Sequence, residues 1–199
     1  KAKEYYELAA EQEDYNAIYN IGYLYEYGFG VEQNLLKARE LYELAGSHGV
    51  SLAYLNIGNF YSNGKGVEQN SSMAIHFFEM AAQLNNSTAI HNIGVLFYQG
   101  KGVKKDYLKA KEYFELAAQQ NNHLSLYNLG CLYFNGYGVA QNYKKAKKYF
   151  ELAAQQNNDN ALLNLGCLYY YGLGVNRNFE KAKWFFEEAE KQNNSSALI

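Results

Sequence analysis

Ser62-Asn63-Gly64-Lys65 spells S-x-x-K, the spacing with which penicillin-recognising enzymes place a nucleophilic serine beside a lysine. In those enzymes the serine opens a helix. Here the surrounding pattern makes Ser62 close one, where the helix dipole disfavours a developing anion. The same place elsewhere in the chain holds Glu26, Tyr98, Phe134 and Tyr170, so the match reads as an ordinary structural position. Gly-x-Gly pairs, from Gly28-x-Gly30 to Gly172-x-Gly174, could suggest a phosphate loop, but they follow a helical pattern instead of a strand and lack a third glycine. His48, His76, His91 and His123 fall at unrelated places and offer no metal-ligand spacing. No catalytic residue, metal site or cofactor is expected, and the chain reads as a non-enzyme.

The two cysteines, Cys131 and Cys167, are one repeat period apart. Equivalent atoms of stacked helices sit on the order of 10 Å apart, beyond the ~7 Å Cα limit of a disulfide. They read as free, semi-buried thiols, which favours a reducing, cytoplasmic compartment. Against that stand sequons at Asn70, Asn85, Asn86, Asn193 and Asn194. A net charge of −2 argues against a nucleic-acid partner, and the apolar runs fall far short of the roughly 18 residues of a membrane span. The basic run Lys104, Lys105, Lys109, Lys111, Lys144, Lys145, Lys147 and Lys148 is interspersed with Glu112, Glu115 and Glu151 and reads as a solvated outer face.

The elements that must position any site are set by a 36-residue period. Gly22, Gly58, Gly94, Gly130 and Gly166 fall in one register without insertion or deletion, as do Ala17, Ala53, Ala89, Ser125 and Ala161. The register divides one array, 1–199, into the second helix of a partial unit (1–16), five units (17–52, 53–88, 89–124, 125–160, 161–196) and the start of another (197–199). Each unit reads as two helices. The first, about Ala17 to Tyr27, carries Ile21, Leu24 and Tyr25 at i, i+3, i+4. A glycine inside it costs roughly 1 kcal/mol relative to alanine, which points to close backbone approach by a neighbouring helix. The second is capped by Asn34, Asn70, Asp106, Asn142 or Asn178 and turns inward Ala38, Leu41, Tyr42 and Ala45, repeated as Ala110, Tyr113, Phe114 and Ala117. Gly49 alternates with Asn85, Asn121, Asn157 and Asn193, a swap that fits a left-handed residue just past a helix end. No period-two strand pattern and no proline occur.

The unit resembles the Sel1-like repeat. That family's pattern, A-x-x-x-L-G-x-x-Y-x-x-G-x-G-V-x-x-D-x-x-K-A-x-x-Y/W-x-x-x-A-A, stands here at residues 125–154 as SLYNLGCLYFNGYGVAQNYKKAKKYFELAA. The chain departs from it in holding Asn in place of the frequent Asp at most second-helix caps. The resemblance implies an all-α fold, a right-handed α/α superhelix of hairpins related to tetratricopeptide repeats, and an adaptor or scaffold role. It also implies a concave groove lined by first helices.

On that groove face a row of asparagines, Asn20, Asn56, Asn92, Asn128 and Asn164, recurs three residues after each opening residue. An amide offers both donor and acceptor to an extended backbone; equally, it could bond the adjacent unit and propagate the stack. The variable positions beside it include Tyr19, Tyr23, Tyr27, His91, Tyr127, Asn135 and Tyr171, large rigid groups suited to protein recognition. Lysines that would complete a carboxylate clamp are missing from the first helices. The chain therefore reads as a scaffold binding a protein or peptide, as an internal segment or folded surface, on the concave first-helix face. The alternatives are a brick in a larger complex, using its convex face, and a secreted small-molecule-binding or hydrolase-like member.

Overall fold

Two turn signals per period cut a continuous apolar pattern into helical hairpins. The computed structural model describes the backbone of residues 1–196 and side chains through Gln192; Ala197, read as opening a further unit, lies outside the described residues, as do the side chains of the sequons at Asn193 and Asn194. Among the described residues the chain is all helical: α1 (Ala2–Ala10), α2 (Tyr15–Tyr27), α3 (Leu35–Ser47), α4 (Ser51–Asn63), α5 (Ser71–Gln83), α6 (Ser87–Gln99), α7 (Tyr107–Gln119), α8 (His123–Asn135), α9 (Tyr143–Ala154), α10 (Asp159–Tyr171) and α11 (Phe179–Ser196). They form two compact units, Lys1–Lys104 with α1 to α6 and Lys105–Ile199 with α7 to α11. Within each unit every helix packs on its sequence neighbours, as in a hairpin stack.

First helices begin about two residues before the expected opening alanine, because their caps lie further upstream. Asp14, Asn86, Asn122 and Asn158 accept bonds from the first-turn amides of α2, α6, α8 and α10. The Asn-Asn pairs thus divide two tasks. Asn85, Asn121 and Asn157 take φ of 58–60°, the left-handed turn that ends a second helix, and the next asparagine caps the following first helix. Glu13 adopts the same conformation at φ 63°. Asn193 departs from the expectation: α11 runs through it to Ser196. The left-handed turn forms where a first helix folds back, and none is described after α11. Every second-helix cap read from the sequence is in place, with Asn34, Asn70, Asp106, Asn142 and Asn178 accepting amides three residues on.

At Gly22, Gly58, Gly130 and Gly166 the mid-helix glycine chiefly accommodates an aromatic ring. A Cβ added at Gly58 would collide with the Phe78 ring, at Gly130 with Phe150 and at Gly166 with Phe186; at Gly22 it would lie 2.9 Å from Tyr42 Cε1. The rings come from the second helix of the same hairpin, and Tyr42, Phe78 and Phe150 are fully buried. Small residues one turn either side, Ala38 and Ala45 around Tyr42 or Ala146 and Ala153 around Phe150, bring the helices close enough for that insertion.

Candidate functional site

The inter-helix loop of each hairpin shapes the end of the first-helix face. Gly28, Gly64, Gly100, Gly136 and Gly172 end the first helices in the left-handed conformation. Glutamines five residues on, Gln33, Gln69 and Gln141, reach back to donate to the carbonyls of Glu26, Ser62 and Phe134. The loop is thereby held against the helix end, and the residue between the two glycines projects from a fixed place.

Lys65 is such a residue, and it completes a charged cluster that sequence reasoning missed. Glu26, only 5 % exposed, accepts the Tyr42 hydroxyl at 2.6 Å on Oε2 and the Lys65 ammonium at 2.7 Å on Oε1. Burial, and then the Glu26 carboxylate beside it, push the Tyr42 phenol well above its ordinary range, so the hydroxyl stays protonated and donates. The Lys65 ammonium also sits 4.5 Å over the Tyr27 ring. Within Ser62-Asn63-Gly64-Lys65, Lys65 points to the preceding hairpin, where Glu26 engages it, and Ser62 is buried near the end of α4. The basic groups of this face therefore come from the loops. Lys101 repeats the arrangement, donating to Asn63 Oδ1 at 3.0 Å.

The five asparagines are all half-buried. Asn56 donates to Tyr19 Oη at 3.4 Å, Asn164 to Tyr127 Oη at 3.4 Å and Asn92 to Asn59 Oδ1 at 3.3 Å. Each bond reaches the preceding first helix, so in these copies the row links adjacent hairpins, as its stack-propagating alternative requires. Asn20 and Asn128 occupy the same place on α2 and α8.

Tyr19 and Tyr127 are half-buried, with rings 5.3 Å from Tyr42 and 5.9 Å from Phe150. This position turns into the seam between the two helices of a hairpin. One expectation is corrected: His91, expected in the groove, holds the same repeat position on α6 and is buried, 6 % exposed. Tyr23 and Tyr27 are 39 % and 47 % exposed, their rings tilted against each other with centroids 4.5 Å apart. Phe29, 55 % exposed and not anticipated, joins them at 5.6 Å from Tyr27. In the second unit Tyr171 is 66 % exposed beside Tyr170, and the exposed Asn135 turns its amide back to the Cys131 carbonyl. Cys131 and Cys167 are free and half-buried, and burial raises both thiols. Lys111 and Lys147 of the basic run pair along their own helices with Glu115 and Glu151.

Among the described residues no cluster of three His, Cys, Asp or Glu side chains is placed to hold a metal, and no helix is long and apolar enough to cross a membrane. No curated protein sequence matches the chain. Solved structures do. A Sel1 repeat protein from Oxalobacter formigenes is 29 % identical over 96 % of this chain and 80 % of its own, at a TM-score of 0.88. The c5321 protective antigen of uropathogenic Escherichia coli strains, which displays an SLR fold, is 30 % identical over 98 % of this chain, at 0.86; this chain spans 42 % of that one. Immunity protein PA5088 from Pseudomonas aeruginosa is 26 % identical over 96 % of this chain and 73 % of its own, at 0.66. The family model described as Sel1 repeat matches residues 1–14, 16–50, 51–86, 87–122, 123–158 and 159–194. With six matched copies running through nearly its whole length, the chain belongs to the Sel1 repeat family.

Proposed function

We propose that the protein is a non-enzymatic scaffold that binds a protein segment on its first-helix face. The observation that carries this reading is the ring cluster of Tyr23, Tyr27 and Phe29, exposed on the loop end of that face and held by Lys65 over Tyr27. Exposed aromatics in fixed positions offer large contact area with little rotamer entropy to lose, the composition of binding hot spots. Tyr170 and Tyr171 offer the same on the second unit. Asparagine amides beside them supply donors and acceptors for an extended backbone. Second helices instead carry lysines already paired with glutamates on the same helix, worth only a few tenths of a kcal/mol each.

The test is capture of partners with the intact chain, followed by two variants that keep the fold by circular dichroism. Tyr23→Ser with Tyr27→Ser should weaken the partner by a few kcal/mol, given ~1–4 kcal/mol per hot-spot residue. Lys111→Glu with Lys147→Glu and Lys148→Glu should leave it bound. The opposite result transfers binding to the second helices and makes the array a structural brick.

A further inference from the structure

Beside Ser62 lies a pocket of about 350 Å³ lined by Asn59, Ser62, Asn63, Asn92, Gln99 and Lys101, with Phe78 at its side. One period earlier the same place is occupied. There Glu26 stands at the Ser62 position, with its carboxylate between the Tyr42 hydroxyl and the Lys65 ammonium and the Tyr27 ring beside it. Moving on by 36 residues, Ser62 replaces Glu26, Asn63 replaces Tyr27 and Phe78 replaces Tyr42, while Lys101 repeats Lys65. The cation is kept and its anion is deleted. Among the described residues no carboxylate lies within 4.0 Å of the Lys101 ammonium, which leans on the neutral Asn63 amide oxygen at 3.0 Å.

We propose that this pocket takes the carboxylate of an acidic side chain on an extended partner segment, seated where the Glu26 carboxylate sits one copy earlier. Lys101 supplies the charge-assisted bond, shorter and stronger than a neutral one, and the amides around it supply further donors. The pocket is walled by α4 and α6, so this assignment rests on the first-helix reading of the partner surface and adds the chemistry it selects. An acidic side chain is favoured over a free carboxylate because Asn59 and Asn92 line the same pocket and can hold the flanking backbone.

The experiment is an NMR titration of the whole chain, following the side-chain amides of Asn59, Asn63 and Asn92. The probes are acetyl-Ala-Glu-Ala-amide, its Gln analogue and sodium acetate. The Glu peptide should shift these amides saturably and the Gln peptide should not. Lys101→Met should weaken the Glu peptide about tenfold. Ser62→Glu should abolish its binding by supplying the missing carboxylate from within, with the circular dichroism unchanged. Adding Phe78→Tyr to Ser62→Glu restores, with Lys101, the carboxylate, hydroxyl and ammonium of the Glu26 cluster. Equal binding of the Gln peptide, persistence of binding in Ser62→Glu, or unfolding of both glutamate variants would each overturn the proposal. Acetate binding as tightly as the Glu peptide would overturn the choice of a partner side chain in favour of a free carboxylate. No partner is present in the titration, so its failure leaves the aromatic-face reading standing, and loss of partner capture at that face leaves the titration intact.

Discussion

Gly58→Ala separates the two effects that a helical glycine brings into conflict. Alanine should stabilise α4 by roughly 1 kcal/mol through propensity alone. Its Cβ would, however, fall against Phe78 Cδ1 and Cε1 inside any van der Waals contact and 3.1 Å from Cγ. Phe78 is 1 % exposed and cannot swing to solvent, so the helices must part or the ring must leave its rotamer, an overpacking penalty of ~1–3 kcal/mol. With the ring needing to move by about an ångström, the upper part of that range applies. The net destabilisation is then ~1–2 kcal/mol. For a chain of this length it is a fall in Tm of roughly 2–8 °C by circular dichroism, at ~2–4 °C per kcal/mol. Gly22→Ala, whose nearest ring atom is 2.9 Å away, should fall less. Phe78→Leu in the Gly58→Ala background should recover part of the loss, a coupling of ~0.5 kcal/mol or more. A rise in Tm for Gly58→Ala would show that the ring yields freely and would refute the packing reason for the glycine row.

Single contacts give further outcomes. Tyr42→Phe removes a 2.6 Å bond to a buried carboxylate and should destabilise by ~1.5–3 kcal/mol in chemical unfolding. Because the Tyr42 phenol is raised in the folded state, the unfolded chain loses that proton first; stability contributed by this group is complete below about pH 10 and declines as pH rises past it, a slope that Tyr42→Phe should reduce in pH-dependent melts, the remainder coming from other raised phenols such as Tyr19 and Tyr149. Asn122→Ala removes the amide-accepting cap of α8 and should cost ~0.5–2 kcal/mol, whereas Asn121→Gly, at φ 58°, should be neutral or mildly stabilising in the same melts. Cys131 and Cys167 should titrate as two free thiols in unreduced protein, slowly at neutral pH because burial raises both, and reductant should leave Tm unchanged; an internal disulfide by mass spectrometry would contradict this.

What the period makes common to every copy is legible from the residues alone: the hairpins, the second-helix caps, the left-handed Gly and Asn turns and the glycine row. These features serve contacts inside a unit or its junctions, so repetition amplifies them. The ring over Gly22, Gly58, Gly130 and Gly166 is not legible, because a missing side chain reports only that something is close. Nor is the second task of the Asn-Asn pairs, since two adjacent caps share one residue type. Glu26, Lys65 and Phe29 escape for the opposite reason. Their positions hold different residues in other copies, and comparison between copies discards them as variable. The Lys65–Glu26 pair also spans two hairpins, across 39 residues. Legibility fails for the candidate site where copies differ, and copy-specific residues are the ones a binding face needs to distinguish partners.

The claim that partners bind the first-helix face is tested most directly by a photo-crosslinking amino acid placed at Tyr27, at Tyr171 or at Lys148 of the intact chain, with crosslinked partners identified by mass spectrometry. All three positions are exposed, so each reports on what lies against it. The account predicts that one protein is captured from positions 27 and 171 and is absent from position 148. Capture of that protein from 148 alone would contradict it.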